Sequence, residues 1–460
     1  MFKQYFSFRT KISQRIPAVL VILVVAIVGS ILLLGSHAAT PYVSVNVSSG
    51  TTTGGAVSQA CAGASHSNCV VFGGASTPSG KIIGIVGTFY DSNYDYTQNA
   101  VQMGAQWYRN DVWGDDSHFE TNCSSGVFNY GADSKCGTQV ALNAIAKNGL
   151  RSLLLLNPDP NGGIPSVDFV LKGTCSTSSV YSTCLSSCSS PTYTGTCTDQ
   201  LGWVQAAVYT AYNYGQGGTF WQGRTDLGSQ FMELGNEAYN PLEPSGNGPW
   251  SCVYDTITVN GTIYNECFDP GDYAQMVKLV GQAVNNATSG RVKVLFDSEP
   301  YYTTDTEGDS GNWPQAMQAA VPDLASDPGV GGVTLHPYGD IPSIGVCANN
   351  PCSTSGNFSY PSNLDLTHAS WPALPIYVTE VGQETSLVGT VGQCKAINQY
   401  FDDLRNNSWE AGLWIFSQQG SGTGGYDLIQ GPDQPSGPGT LEPGWYAYQS
   451  QALHQTDYSC

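Results

Sequence analysis

Eight short apolar runs, spread through residues 82–417 and separated by stretches of helical periodicity, constrain this chain more than any other feature. They are Ile82–Phe89, Gln106–Val112, Arg151–Leu156, Gln230–Gly235, Val292–Asp297, Gly332–His336, Ile376–Thr379 and Gly412–Ser417. Runs of this length, bounded by Gly, Pro, Asn and Asp, predict strands buried on both faces. Thr138–Lys147, Leu201–Tyr212, Asp272–Asn285 and Gly392–Arg405 lie between them, and Trp445–Leu453 follows the last. Each carries apolar residues at three- and four-residue intervals, the mark of a helix with one buried face. Strand and helix in alternation predict an α/β chain, and eight strands predict a closed (β/α)8 TIM barrel. No helical pattern is visible between the sixth and seventh runs.

The insertions are uneven. Long Cys-, Gly- and Ser-rich segments follow the second, third, fourth and sixth runs, at the ends of strands where a barrel builds its working face. One of them holds Thr256–Val259 and Thr262–Tyr264 around Asn260-Gly261, a two-residue hairpin signal.

The N-terminus carries Lys3, Arg9, Lys11 and Arg15 ahead of an apolar run from Ile16 to Leu34, long enough to cross a bilayer with its basic flank in the cytoplasm. Residues 1–15 are then cytoplasmic, 16–35 a signal peptide or signal-anchor helix, 36–80 a Ser/Thr/Gly-rich linker, and 81–460 the barrel domain. All 14 cysteines lie beyond the apolar run. An even number in an exported chain predicts disulfides that staple the long loops. Proximity suggests Cys61 with Cys69, Cys123 with Cys136, Cys252 with Cys267, and Cys347 with Cys352. The cysteine spacings lack paired C-x-x-C units and neighbouring histidines, which argues against zinc. A net charge of −20 argues against nucleic acid and anionic lipid as partners of the globular part. Membrane contact is expected only through the N-terminal segment, and the domain is expected to be a monomer without cofactor or metal.

Two of the strands end in a glutamate. Phe231-Met232-Glu233-Leu234-Gly235-Asn236-Glu237 closes the fourth, and Ile376-Tyr377-Val378-Thr379-Glu380 closes the seventh. A pair of carboxyl groups at barrel strand ends is what glycosidic bond cleavage needs, one to protonate the leaving oxygen and one to attack the sugar carbon. A second Asn-Glu, Asn265-Glu266, lies in the hairpin and off the barrel strands.

The ordered strand-end motifs over most of residues 81–455 resemble the clan A glycoside hydrolases, retaining (β/α)8 enzymes that include the family five cellulases and family thirty-nine xylosidases. The resemblance implies Glu237 as acid/base and Glu380 as nucleophile. It also implies that Arg109, in Trp107-Tyr108-Arg109-Asn110-Asp111, supports the nucleophile, and that His336 and Tyr338, in His336-Pro337-Tyr338-Gly339, form a pair whose tyrosine bonds it. Trp414, in Leu413-Trp414-Ile415-Phe416, would floor the first sugar site, and Asn236 would bond a sugar 2-hydroxyl. Trp113, Tyr239 and Trp250 are candidates to stack on sugar faces. Two departures stand out: Asn157-Pro158-Asp159 follows the third strand where many members carry a histidine, and Ala238 replaces the usual proline after Asn-Glu.

Several of these residues have a plainer alternative. Glu233 and Arg109 fit a buried ion pair in the barrel interior, His336 a hydrogen-bonded core histidine, and Trp414 barrel packing. The function expected is retaining hydrolysis of a β-linked polysaccharide or oligosaccharide outside the cell. The alternatives are a transglycosylase with the same glutamates and a non-catalytic surface glycan-binding barrel.

Overall fold

In the computed structural model, the strands expected from the apolar runs close on one another. We label them β1 (Ile82–Val86), β2 (Trp107–Val112), β3 (Arg151–Leu156), β4 (Phe231–Leu234), β5 (Lys293–Asp297), β6 (Val330–Leu335), β7 (Ile376–Val381) and β8 (Glu410–Ile415). All eight pair in parallel, in chain order, with β8 returning to β1. The structure describes residues 57–60, 68–71, 80–87, 97–112, 137–156, 178–193, 195, 197, 199–238, 255–259, 262–266, 270–299, 313–348, 351–354, 359–418, 425–430 and 439–460. The apolar N-terminal run lies outside them. No described helix is long and apolar enough to cross a membrane.

The crossovers are helical: α1 (Thr97–Met103), α2 (Gly137–Lys147), α3 (Ser178–Cys188), α4 (Asp199–Tyr214), α5 (Pro270–Thr288), α6 (Trp313–Ala320), α7 (Tyr360–Ser370) and α8 (Thr385–Asn406), with α9 (Pro443–His454) after β8. Helix α7 fills the crossover between the sixth and seventh strands, where the sequence shows no helical pattern. Its buried residues are Tyr360, Asn363, Leu364 and Thr367, so half of its inner face is polar and no apolar stripe marks it.

Strand residues alternate between two cores, as the period of two requires. Those facing out, such as Ile83, Ile85, Leu154, Met232, Phe296 and Val378, pack under the helices. Those facing in, Ile82, Val86, Trp107, Leu153, Leu295, Tyr377 and Trp414, fill the barrel. Trp414 needs space that β1 supplies: a Cβ on Gly84 would fall 2.1 Å from its indole.

The first unit of the chain, Met1–Phe72, holds an antiparallel pair, Val57–Ala60 with Asn68–Val71. Within the barrel unit, the expected hairpin forms between Asp255–Val259 and Thr262–Glu266. Of the disulfides expected from proximity, Cys347–Cys352 is present. The other three each involve residues outside the described set. Among the bonds between described residues, two further ones join Cys188 to Cys197 and Cys394 to Cys460. The last ties α8 to the final residue of the chain across 66 positions. Closing a loop of that length is worth about 4 kcal/mol, against about 2 for the short Cys347–Cys352 loop. Replacing Cys460 by serine should therefore lower the denaturation midpoint about twice as far as replacing Cys347 and Cys352 together by serine. Equal shifts in denaturant titrations would contradict this.

The end of the barrel opposite the strand-end glutamates carries a buried acid. Glu410 opens β8 and is fully buried, while the ammonium of Lys81 bonds main-chain carbonyls of Asn407 and Ser408, and of Glu410 itself, instead of its carboxylate. Burial, helped by the charge of Asp403, pushes Glu410 up to about 8. Asp403 on α8 is also raised by burial, to about 6. Because both folded values lie above the unfolded ones, the folded chain binds more protons in between, and stability falls as pH rises from about 4 through 8. A shift of this size in Glu410 corresponds to on the order of 5 kcal/mol. The melting temperature should peak near pH 4–5, and Glu410→Gln should flatten the descent. A maximum at pH 8 would refute this origin.

Candidate active site

The C-terminal ends of β2, β4, β6 and β7 bring six of the ten candidate residues together. Arg109 sits at the centre. Its Nε donates to Glu233 Oε2 at 2.7 Å, its Nη2 to Asn236 Oδ1 at 2.9 Å, and its Nη1 to Glu380 Oε1. One planar guanidinium thus spans β4 and β7. The Arg109–Glu233 pair is buried, as the interior alternative has it. Glu233 also accepts from Thr379 Oγ1 at 2.8 Å, so the ion pair is braced on its far side.

Glu380 receives a second bond, from the Tyr338 hydroxyl at 3.1 Å. Burial and then the charge of Glu380 hold the Tyr338 hydroxyl well above its ordinary range, so it remains a donor. Glu237 meets His336, with Nδ1 and Oε1 3.0 Å apart. Burial alone would discharge the imidazole, but Glu380 and the hydrogen bond to Glu237 outweigh it and push His336 up to about 10. The His336–Glu237 pair therefore holds a proton beside the cleft.

The side chains of Glu237 and Glu380 are each 13% exposed, whereas Arg109, Glu233 and His336 are at 3% or less. Two reachable carboxyl groups thus stand on a buried charged base. One oxygen of each, together with His336 Nδ1, lies within 4.8 Å of the others. Such a cluster has the donor types for a metal ion, but a metal would have to displace the proton on His336 and compete with Arg109 and Tyr338 for Glu380. The arrangement can pass a proton between His336 and Glu237.

Local backbone explains how each carboxyl reaches the mouth. On β7, Tyr377 and Thr379 point inward, so simple alternation would turn Glu380 outward. A register irregularity between Val378 and Val381 re-aims it, as bulges do. After β4 the chain takes positive φ at Gly235 (79°) and again at Glu237 (49°), an uncommon conformation for glutamate.

Trp414 does not stand with the others. It is fully buried and set edge-on to Trp107 at 6.2 Å, inside the barrel, which fits the packing alternative and not a sugar floor. Among the described residues, the β8 aromatic beside the site is Phe416, which contacts Tyr338 and Tyr426. Trp113, Tyr239, Trp250 and Asn157 lie outside the described residues. Sequence reasoning missed Asp297, Glu299, Tyr273, Phe416 and Tyr426. Asp297 carried a signal, because like Glu380 it is an acid that ends a strand.

No protein-family model matches this chain, and no curated protein matches it. Among solved structures it is similar to a family 39 glycoside hydrolase from the gut symbiont Bacteroides cellulosilyticus WH2, with a TM-score of 0.50 and 15% identity over 85% of this chain and 67% of that one. The chain shares with it the (β/α)8 barrel fold. An endocellulase from Pyrococcus horikoshii (TM-score 0.46, 11% identity, 87% of this chain and 97% of that one) and a family 5 xyloglucanase from Paenibacillus pabuli (0.43, 12%, 78% and 90%) are also similar. At these identities the likeness concerns the (β/α)8 barrel fold alone.

Proposed function

We propose that this clan A barrel is an exported retaining β-glycosidase that hydrolyses a β-linked polysaccharide or oligosaccharide, with Glu380 as nucleophile and Glu237 as acid/base. The observation that carries the reading is the unequal treatment of two adjacent carboxyl groups. Glu380 is bonded by Arg109 and Tyr338, which favour the ionised form. Glu237 instead shares a proton with His336 across a hydrogen bond, and acts as the acid when that proton shifts to its carboxyl.

The approach of their oxygens to within 4.8 Å supports direct attack, since retaining pairs stand about 5–5.5 Å apart and inverting pairs about 6.5–9.5 Å, with room for a water. Glu380 attacks the anomeric carbon as the bond to the leaving oxygen breaks, and Glu237 gives that oxygen its proton. Water then attacks the glycosyl ester, yields a proton to Glu237, and frees Glu380. Asn236, its amide oxygen turned to Arg109, offers its nitrogen to the sugar 2-hydroxyl, a bond that strengthens in the transition state. Export is supported by the apolar run at 16–34 and by the disulfides.

The test is to incubate the protein with β-glucans, mannans, xylans and host-type glycans and to follow the products by proton NMR. New reducing ends should be released in the β configuration before they mutarotate. Release of the α anomer first would exclude the retaining mechanism, and no release from any glycan would exclude the hydrolase.

A further inference from the structure

The backbone that presents Glu237 is held by groups outside the cluster described above. Asp297, the last residue of β5, is 1% exposed, and its Oδ2 accepts the Ala238 N–H at 2.8 Å. Its other oxygen is buried without a hydrogen-bond partner. Tyr273, fully buried on α5, donates its hydroxyl to the Leu234 carbonyl at 2.6 Å and accepts the Asp297 N–H at 2.9 Å. The final residues of β4 and β5 are therefore joined through a hydroxyl.

These bonds bracket the segment Gly235-Asn236-Glu237. Glycine takes positive φ freely, but the positive φ at Glu237 costs backbone energy and persists only where the surroundings impose it. The Ala238 N–H that Asp297 uses would not exist on a proline. On the reading above of Glu237 as acid/base, we infer that Asp297 is a positioning residue for it: through Ala238, and with Tyr273 setting the ends of β4 and β5, it fixes the left-handed turn from which the carboxyl is delivered. Burial, the largest influence, raises Asp297 well above the carboxylate range, so a neutral side chain can fill the role.

That neutrality gives the test its control, since Asp297→Asn keeps an oxygen for Ala238 whereas Asp297→Ala does not. The assay compares aryl β-glycosides of one accepted sugar with an acidic and a weakly acidic phenol. Misplacing the acid matters only where the leaving group needs a proton, so Asp297→Ala should lower kcat/KM about 100-fold on the weakly acidic phenol and far less on the acidic one. Asp297→Asn should restore most of the loss. Tyr273→Phe should show the same selective pattern, and it stands in should Asp297→Ala fail to fold. Equal losses on both phenols, or no loss on either, would overturn the proposal. Crystal structures of the Asp297→Ala and Tyr273→Phe variants read the turn without any substrate: Glu237 leaving positive φ and His336 supports the inference, and an unmoved turn refutes it. Failure of the acid/base reading itself shows separately, as full activity of Glu237→Ala.

Discussion

Glu380→Ala should lose turnover of every substrate, natural or activated, because in the proposed mechanism Glu380 is the group that bonds the sugar carbon. Loss of a nucleophile from a two-step site costs on the order of 10⁴–10⁶ in kcat. Azide should enter the space left by the side chain, restore part of the turnover by attacking directly, and yield the glycosyl azide of inverted configuration. Glu237→Ala should behave differently. General acid help is worth roughly 10²–10⁴, and aryl glycosides of acidic phenols do not need it, so their first step should survive. Azide should then intercept the ester on Glu380 and give a product of retained configuration. Exchange of the two azide products between the variants would exchange the roles, and full activity of both on polysaccharide would place the site elsewhere.

Arg109→Met should be nearly as damaging, and to folding as well as turnover. The guanidinium is the buried cation bonded to Glu233 and Glu380, and Glu233 is itself 1% exposed. Removing one partner of such a pair leaves an uncompensated charge in the interior, at about 3–5 kcal/mol. Arg109→Lys should recover much of that stability by keeping the charge. It should recover little of the activity, because an ammonium lacks the planar fork that meets Glu233, Asn236 and Glu380 at once. Adding Glu233→Gln to Arg109→Met should return part of the lost stability without returning turnover. Denaturant titrations and kcat on one substrate check all three, and an unchanged midpoint in Arg109→Met would show that the pair is not structural.

The strands were legible because their burial on both faces is written locally. Arg151–Leu156 has the expected limits, and the other seven differ at their ends by one to three residues. The same locality made α8 and α9 readable and hid α7, where Asn363 and Thr367 occupy inner positions. Cysteines five apart could be paired by proximity, but Cys394 and Cys460 could not, since nothing near either one specifies a partner 66 residues away.

By itself, then, the sequence determined a parallel eight-stranded barrel and put Glu237 and Glu380 at the ends of its fourth and seventh strands, because strand order and the ends of apolar runs are properties of neighbouring residues. Tertiary structure alone decided where the side chains point. The period of two would have faced Glu380 away from the cleft until the irregularity in β7 turned it. Gly84 let the barrel interior take Trp414 and left Phe416 as the β8 aromatic beside the site. The turn at Glu237 depends on Asp297 and Tyr273, 60 and 36 positions along the chain. Such orientations are set by contacts between segments that meet only when the barrel closes, and no local pattern encodes them.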